Sequence, residues 1–465
     1  MQEGKMMDKK ILAQLEKITG RDGILTSPED LAVYSYDGTF EEGCPEVVVL
    51  PRTTEQVSQV VKLAAQSRIP LVSRGMGSGL AGGSVPSMGG IVLAMTRMNR
   101  ILEIDQANAT VRVEAGVVTA DLQTAVEKLG LFYPPDPSSI RESTIGGNIA
   151  CNAGGPRCLK YGVTGNYVLG LTVVLADGRV LQAGNKCIKD VVGYDMLALF
   201  TGSEGTLGVI TEALLRLTAK PKFVRTALVE FPSLEDASKT VNAILTEGIV
   251  PAALELMDET AIACTEESMH LGLPLDVEAI LIIESDGSDE AFVLSEIEAT
   301  ARICKAQGAR QVKVAKNELE RSNLWEGRRS VTAALARRTP NKLGEDITVP
   351  RSAIPEAVRR LKAISAKYDL PIVIFGHAGD GNLHPNILFD KRDPEQWAKV
   401  GQMVKEEFAT ALELGGTLSG EHGVGTLKRP YLEDALGPLS IEMQKRIKQA
   451  LDPLNILNPG KVFPD

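Results

Sequence analysis

His377 and His384 enclose the segment Ala378-Gly-Asp-Gly-Asn-Leu383, and that spacing rules out most local folds. On a helix the two rings would stand about two turns, or ~10 Å, apart, too far to share one ion. On one continuous strand an odd spacing sends them to opposite faces. Asp-Gly and Gly-Asn are tight-turn dipeptides. A hairpin, Ile372–His377 followed by Leu383–Phe389, therefore lets the imidazoles converge. The chain has four histidines, and a third, His422, lies in Ser419-Gly-Glu-His-Gly-Val-Gly425. Glu421 would complete a His2Glu set of the kind that leaves one metal position open to water or substrate. The alternative is two histidines packed structurally around a hairpin. His270, in Ser-Met-His-Leu, has no comparable context.

At 465 residues the chain is long enough for two or three domains with buried cores. Its 44% hydrophobic and 24% charged residues are those of an ordinary globular protein. The acidic balance, 60 Asp and Glu against 50 Lys and Arg, lacks the basic footprint of a nucleic-acid binder. No apolar run approaches the ~18–20 residues of a membrane span. The polar residues Met1 to Gly20 read as a short amphipathic helix, not a secretory signal. Six scattered cysteines without a Cys-x2-Cys supply neither a disulfide framework nor a self-contained iron–sulfur site. A cytoplasmic protein with free thiols is expected.

Along the chain, 46–52 reads as a strand ending at Pro51, followed by a helix capped by Thr53 or Thr54, with Val57, Val60, Val61, Ala64 and Ala65 at helical spacing. Strands at Ile69–Ser73 and Ile91–Met95 follow. A hairpin across Gln106-Ala-Asn-Ala109 comes next, then a helix at Asp121–Leu129, and 132–170 reads as loop-rich. Asp177-Gly178 marks another hairpin. Beyond Lys220-Pro221 the order becomes strand Phe223–Phe231, helix Leu234–Glu247, strands Ala252–Met257 and Ala279–Glu284, and a helix near Glu290–Gln307. That is the pattern of a ferredoxin-like layer of helices on an antiparallel sheet. Helices at Asn317–Ala336, Glu395–Leu414 and Ile441–Ala450 complete the reading.

Arg74-Gly-Met-Gly-Ser-Gly-Leu-Ala-Gly-Gly83 follows a strand, and its glycines let several backbone N–H groups approach an anion. Gly77-Ser-Gly79-Leu-Ala-Gly82 matches the dinucleotide pattern formally, but that fingerprint must open a helix. Here it runs into Gly83-Ser-Val-Pro-Ser-Met-Gly-Gly90, so a nest of amides cradling a pyrophosphate is the reading that survives. Ser143–Gly155 and Thr201–Ile210 have the same small-residue character.

Taken together, these segments resemble the flavoproteins of the vanillyl-alcohol oxidase superfamily, in the branch holding glycolate oxidase flavoprotein subunits, D-lactate dehydrogenases and D-2-hydroxyglutarate dehydrogenases. The likeness runs from about Pro45 to Phe463. It implies an α+β fold: a two-subdomain PCMH-type FAD-binding domain (45–220) after an N-terminal helical segment (1–44), a ferredoxin-like substrate or cap domain with the metal site (221–440), and a C-terminal helical segment (441–465) returning to the flavin. Carried over residue by residue, Arg74, Gly75, Gly77, Ser78 and Gly79 would cradle the FAD pyrophosphate. Pro137, Ser138, Thr144, Gly147, Asn148 and Gly154 would line the cofactor, Glu204, Gly208 and Ile210 would hold its flavin and ribityl region, and Asn458 would bring the C-terminus back. His377, His384 and Glu421 match metal ligands, usually zinc; His422 matches the general base; Arg328, Thr332 and Asn386 match substrate contacts. The loop has no histidine, so the FAD is expected to be non-covalent. Where the 2-hydroxyglutarate members carry a lysine two residues before the aspartate matching Asp346, this chain has Gly344, with Lys342 nearby.

The implied activity is FAD-dependent oxidation of D-lactate or glycolate, with electrons leaving to a separate iron–sulfur subunit, electron-transferring flavoprotein, cytochrome or quinone. The chain would be a homodimer or a complex subunit, peripheral to a membrane only through a partner. Rival readings are a dehydrogenase of 2-hydroxyglutarate or a longer 2-hydroxy acid, a non-catalytic FAD-binding subunit, and a metal-only hydrolase.

Overall fold

The helix expected after Pro51 forms over Thr54–Ser67. Thr53 caps it by accepting the Gln56 N–H, and Val57, Val60, Val61 and Ala64 are buried along one side. In the computed structural model, which describes residues 7–464, this helix is the crossover between parallel strands. Strands β1 (Ile24–Leu25), β2 (Val47–Val49), β3 (Leu71–Arg74) and β4 (Ile91–Ala94) make a sheet in the order β1-β2-β4-β3, parallel except for β1. A second, antiparallel sheet has the order β5-β6-β10-β8-β9, formed by β5 (Ile101–Asp105), β6 (Thr110–Glu114), β8 (Val168–Val174), β9 (Val180–Gly184) and β10 (Val209–Arg216). The short β7 (Leu131–Phe132) pairs with β11 (Thr218–Ala219). Both expected hairpins close, with Asp105 opposite Thr110 and Val174 opposite Val180. The stretch 132–170 is not all loop. Helices form at Ile145–Cys151 and Cys158–Tyr161, and a 3-10 turn at Thr164–Tyr167. Gly146 and Gly147 had concealed the first, since each costs a helix ~1 kcal/mol relative to alanine.

The remaining strands are β12 (Phe223–Phe231), β13 (Ala253–Asp258), β14 (Ala279–Gly287), β15 (Gln311–Val314), β16 (Asn341–Gly344), β17 (Ile347–Thr348), β18 (Ile372–His377) and β19 (Asn382–Phe389). They form one antiparallel sheet in the order β15-β12-β14-β13-β18-β19-β16, with β17 also on β19. The β15-β12-β14-β13 half is the expected ferredoxin-like core, with helices Leu234–Thr246 and Glu290–Ala306 as its crossovers. The histidine hairpin then extends it. Every residue of β18 and β19 is buried, so the extension needs cover on both faces. Helices Ile354–Tyr368 and Pro394–Glu413 join the two crossovers on one side. Helices Glu259–Met269 and Glu318–Arg338 close the other, where Ile262, Val331 and Leu335 pack on Met257, Ile282 and Phe375. Of these, Glu259–Met269 and Ile354–Tyr368 had no expectation from sequence.

The chain divides into two compact units, and the division differs from the expected boundaries at two places. The first unit holds residues up to Gly154, Val163–Lys220 and the chain from Glu421 onward; the second holds Gly155–Gly162 and Pro221–Gly420. Residues 421–440, expected with the substrate domain, thus belong with the first unit, where Ala81 accepts the Thr426 N–H at 2.9 Å. Gly155–Gly162 crosses the other way, held by Lys160 Nζ to Asp286 at 2.6 Å and by the Tyr161 hydroxyl to the same carboxylate at 2.7 Å. Among the described residues no helix is long and apolar enough to cross a membrane.

One residue of the second core is electrostatically out of place. Glu407, on helix Pro394–Glu413, is 0% exposed, and among the described residues neither carboxylate oxygen has a hydrogen-bond partner. Burial, with Glu345 nearby, pushes its pKa well above the usual range. The folded chain therefore holds a proton here that the unfolded chain releases near pH 4.5, and stability falls as pH rises from that value toward the folded pKa. Glu407→Gln should raise the unfolding temperature at pH 8, with the gain shrinking toward pH 5. A gain independent of pH would show that the carboxyl does not titrate this way.

Candidate functional site

In the first unit a solvent-open cavity lies where the glycine loop meets helix Ile145–Cys151 and the start of β10. Arg74, Gly75, Thr144, Gly147, Gly208 and Ile210 line it, together with Ser73, Met95, Ala115, Gly146, Ala150 and Gly205. No helix follows the loop; the chain continues irregularly to β4. The wall is built without side chains where it is closest. A Cβ at Gly75 would run into the Thr144 hydroxyl. Gly77, in the loop behind the lining, sits at φ +73, where a Cβ would strike the Arg74 guanidinium. Such a cradle of glycine backbone suits a flat, phosphorylated cofactor.

Side-chain hydrogen bonds brace that wall from behind. The Arg74 guanidinium is buried and donates to the Tyr36 carbonyl at 2.6 Å, so the side chain braces the loop. Asn148 donates to the Thr119 hydroxyl at 2.8 Å. Asn458, at φ +42, donates through Nδ2 to the carbonyls of Gly83 (2.8 Å) and Glu204 (2.7 Å), tying the C-terminal segment to two loops. Gly77, Ser78, Gly79, Pro137, Ser138 and Gly154 do not line the cavity; Pro137 and Gly154 are buried and Ser138 is exposed. Glu204 accepts the N–H groups of Val424 (2.7 Å) and Gly425 (2.8 Å). Just before them stand Glu421 and His422, with Oε1 and Nε2 3.8 Å apart and both side chains mostly buried.

In the second unit the hairpin places Asn382 opposite His377 and His384 opposite Phe375. Cross-strand partners share a face, so the two histidines meet, with ring centroids 5.1 Å apart at 88°. Sequence reading missed what stands beside them. Glu255 of β13, 0% exposed, lies 2.8 and 2.9 Å from His377 Nδ1 and 2.7 Å from Arg328 Nη2. Burial alone would push its carboxyl upward; His377 and Arg328 hold it below the ordinary glutamate range. The contact fixes the His377 ring so that Nε2 is the nitrogen that can serve a metal, the usual arrangement of a carboxylate behind a metal-bound histidine. Arg328 is buried over the Phe375 ring, 4.9 Å from its centroid. Its Nη2 meets Glu255 at ion-pair distance without hydrogen-bond alignment, and its Nε has no hydrogen-bond partner among the described residues.

Asp346, also missed as a site residue, is fully buried, with Asn382 Nδ2 on one oxygen and Ser419 Oγ on the other, both at 2.6 Å. Asp346 and His384 offer ligand atoms within 4.8 Å of each other, as do Glu421 and His422. Asn386 is buried, and its amide donates to the His384 carbonyl at 2.9 Å. The register sets Lys342 opposite Leu388 and Gly344 opposite Asn386, so Lys342 shares the histidine face, half-buried, with its pKa lowered by desolvation. Thr332 is exposed, outside the buried set around Arg328.

Residues 45–184 match the FAD binding domain family, and residues 220–462 match the C-terminal domain of FAD linked oxidases. The glycolate oxidase subunit GlcD of Bacillus subtilis is 47% identical over 98% of this chain and 97% of its own. A D-lactate dehydrogenase of Anaerostipes hadrus is 36% identical over 93% and 91%. The solved structure of a 4-ethylphenol oxidase from Gulosibacter chungangensis superposes with a TM-score of 0.81 at 21% identity, covering 99% of each chain, which shows a shared fold.

Removing one partner of a buried ion pair strands the other charge. Glu255→Gln should lower the unfolding free energy, measured by denaturant titration, by about 3–5 kcal/mol. A loss under about 1 kcal/mol, the range of exposed pairs, would contradict the buried arrangement.

Proposed function

Because the chain belongs to the FAD-linked oxidases, we propose that it is an FAD-dependent D-2-hydroxyacid dehydrogenase oxidising D-lactate or glycolate to the 2-oxo acid. The observation that carries this reading is the buried set on one sheet face: two imidazoles for a metal beside a guanidinium for a carboxylate. The full-length relatives, named as a glycolate oxidase subunit and a D-lactate dehydrogenase, point to the same substrate class.

Four provisions follow. Arg328 holds the substrate carboxylate through the guanidinium edge turned from Glu255, with Asn386, Thr332 and Lys342 as further contacts. His422 takes the hydroxyl proton. His377, His384 and Glu421 would hold a divalent metal, with Asp346 as an added donor; zinc would suit such nitrogen and oxygen ligands. The metal would supply Lewis acidity toward the substrate hydroxyl. FAD, when bound in the glycine-walled cavity, supplies the acceptor for the C2 hydride. Non-covalent binding fits a loop without a histidine.

Gly344 bears on substrate size. A Cβ there would stand 2.6 Å from Asn386 Oδ1, so a lysine at this position would require Asn386 to move. This supports a monocarboxylate over 2-hydroxyglutarate. Electrons leave to a separate acceptor, since the six cysteines form no cluster; an iron–sulfur subunit, an electron-transferring flavoprotein, a cytochrome or a quinone would serve. The enzyme would work in the cytoplasm, reaching a membrane only through such a partner.

The test is the visible spectrum of anaerobic protein before and after adding D-lactate, L-lactate, glycolate or D-2-hydroxyglutarate. Bleaching of the flavin band by D-lactate or glycolate, reversed by an artificial acceptor, is the expected result. A flavin that no hydroxy acid bleaches would overturn the substrate class, and bleaching by 2-hydroxyglutarate alone would overturn the size argument. Chelation should abolish bleaching while leaving the flavin band in place, and a divalent metal should restore it. Unchanged bleaching after complete metal removal would refute the metal's role.

A further inference from the structure

Gly205 and Gly208 line the cofactor cavity, but the carboxylate of Glu204 serves a different segment. We propose that Glu204 is a positioning residue that fixes the chain bearing His422 to the cavity wall. This rests on the assignment of His422 as the base.

Three observations carry the inference. First, the Glu204 backbone is tied to the wall, next to the lining residue Gly205. Its N–H donates to the carbonyl of Ala150, itself a lining residue, at 2.8 Å, and its carbonyl accepts from Asn458 at 2.7 Å. The residue sits at φ +52, an uncommon conformation for a side chain other than glycine, asparagine or aspartate. Second, each carboxylate oxygen receives one backbone N–H, Oε1 from Val424 and Oε2 from Gly425. These residues follow His422 by two and three positions. Two charge-assisted bonds on consecutive amides fix the orientation of a segment as well as its position. Third, the segment is shaped to receive them. Gly423 (φ +85) and Gly425 (φ +53) adopt the turn that points both amides one way, and a Cβ on Gly425 would collide with the Ala81 carbonyl of the cofactor loop. On the far side Thr426 donates to that same carbonyl. The chain after His422 is thus clamped between the glycine loop and Glu204, so whatever fixes the cofactor cavity also fixes the base.

Two variants of the full-length holoenzyme reach the clamp from opposite sides. Glu204→Gln turns an amide N–H2 toward one of the two backbone donors. Gly423→Ala puts a Cβ 3.0 Å from the Glu204 carboxyl carbon, leaving the cavity wall unaltered. Each should keep its flavin band, while the rate of flavin reduction by D-lactate falls about 10- to 100-fold per bound flavin, the cost of misplacing a reacting group by about 1 Å. The acid limb of the pH–rate profile should shift in both, which a merely structural lesion would not produce. The double variant should be no slower than the slower single, because both act on one contact. Hydrogen exchange by mass spectrometry supplies a readout without substrate: in Glu204→Gln the amides of 421–426 should exchange about tenfold faster. Normal exchange at 421–426, or multiplying losses in the double variant, would overturn the inference. A wild-type flavin that no hydroxy acid bleaches would count against the proposed reaction alone, with exchange still deciding the clamp.

Discussion

A carboxylate with no exposure, in an interior strand of the large sheet, is the constraint on which the second unit depends. Glu255 in isolation would be costly to bury as an anion. It is stable there because His377 and Arg328, from a hairpin and a helix far apart in sequence, converge on it. The compensation works in both directions. The carboxylate orients the His377 ring and holds Arg328, a buried cation, against the Phe375 ring. The same helix repeats the device one and two turns earlier, where Trp325 donates to buried Glu284 at 2.7 Å and Arg321 stands 3.4 Å from it. Arg321, Trp325 and Arg328 fall at helical spacing i, i+4, i+7, so one helix face covers two buried acids with polar partners while its apolar residues pack the core.

The first unit meets a different requirement. A flat, phosphorylated ligand must be approached by backbone, and backbone loops have little side-chain packing to hold them. Buried polar ties replace that packing. Asn458 joins Gly83 to Glu204, Glu204 joins the cavity wall to Val424 and Gly425, and Lys461 donates to the Val85 carbonyl (2.7 Å) and the Ser87 hydroxyl (2.8 Å). Desolvation lowers the Lys461 pKa to about 8, a measure of how far inside the fold this tie lies. The glycine loop, the loop at Glu204, the segment after His422 and the C-terminal segment are thereby one mechanical element.

What could be read from sequence was local. The histidine hairpin was legible because Asp-Gly and Gly-Asn dictate a turn, and a turn with known pairing fixes which side chains share a face. The ferredoxin-like strand order followed from periodicity, and the irregular glycine loop from the run of residues that cannot sustain a helix. What stayed hidden depended on distant partners. Glu255 is 122 residues from His377, and its only local sign is one acid in the apolar run Ala252-Ala-Leu-Glu-Leu-Met257. Glu204 lies 220 residues from Val424, so nothing local showed that its carboxylate receives the N–H groups of Val424 and Gly425. Helix Ile145–Cys151 was masked by its glycines, and the extra hairpin in the large sheet by the absence of any local rule for strand order.

In the proposed reaction a hydride leaves C2 of a small 2-hydroxy acid for the bound flavin while His422 takes the hydroxyl proton. The most direct measurement is the anaerobic rate of flavin reduction with D-lactate or glycolate carrying deuterium at C2, compared with the unlabelled acid under saturating conditions. A normal primary isotope effect is predicted, enlarged toward its limiting value when binding and release are removed from the observed rate. Flavin reduction at the same rate with either isotopologue, in single turnovers where chemistry is the only step observed, would contradict the account.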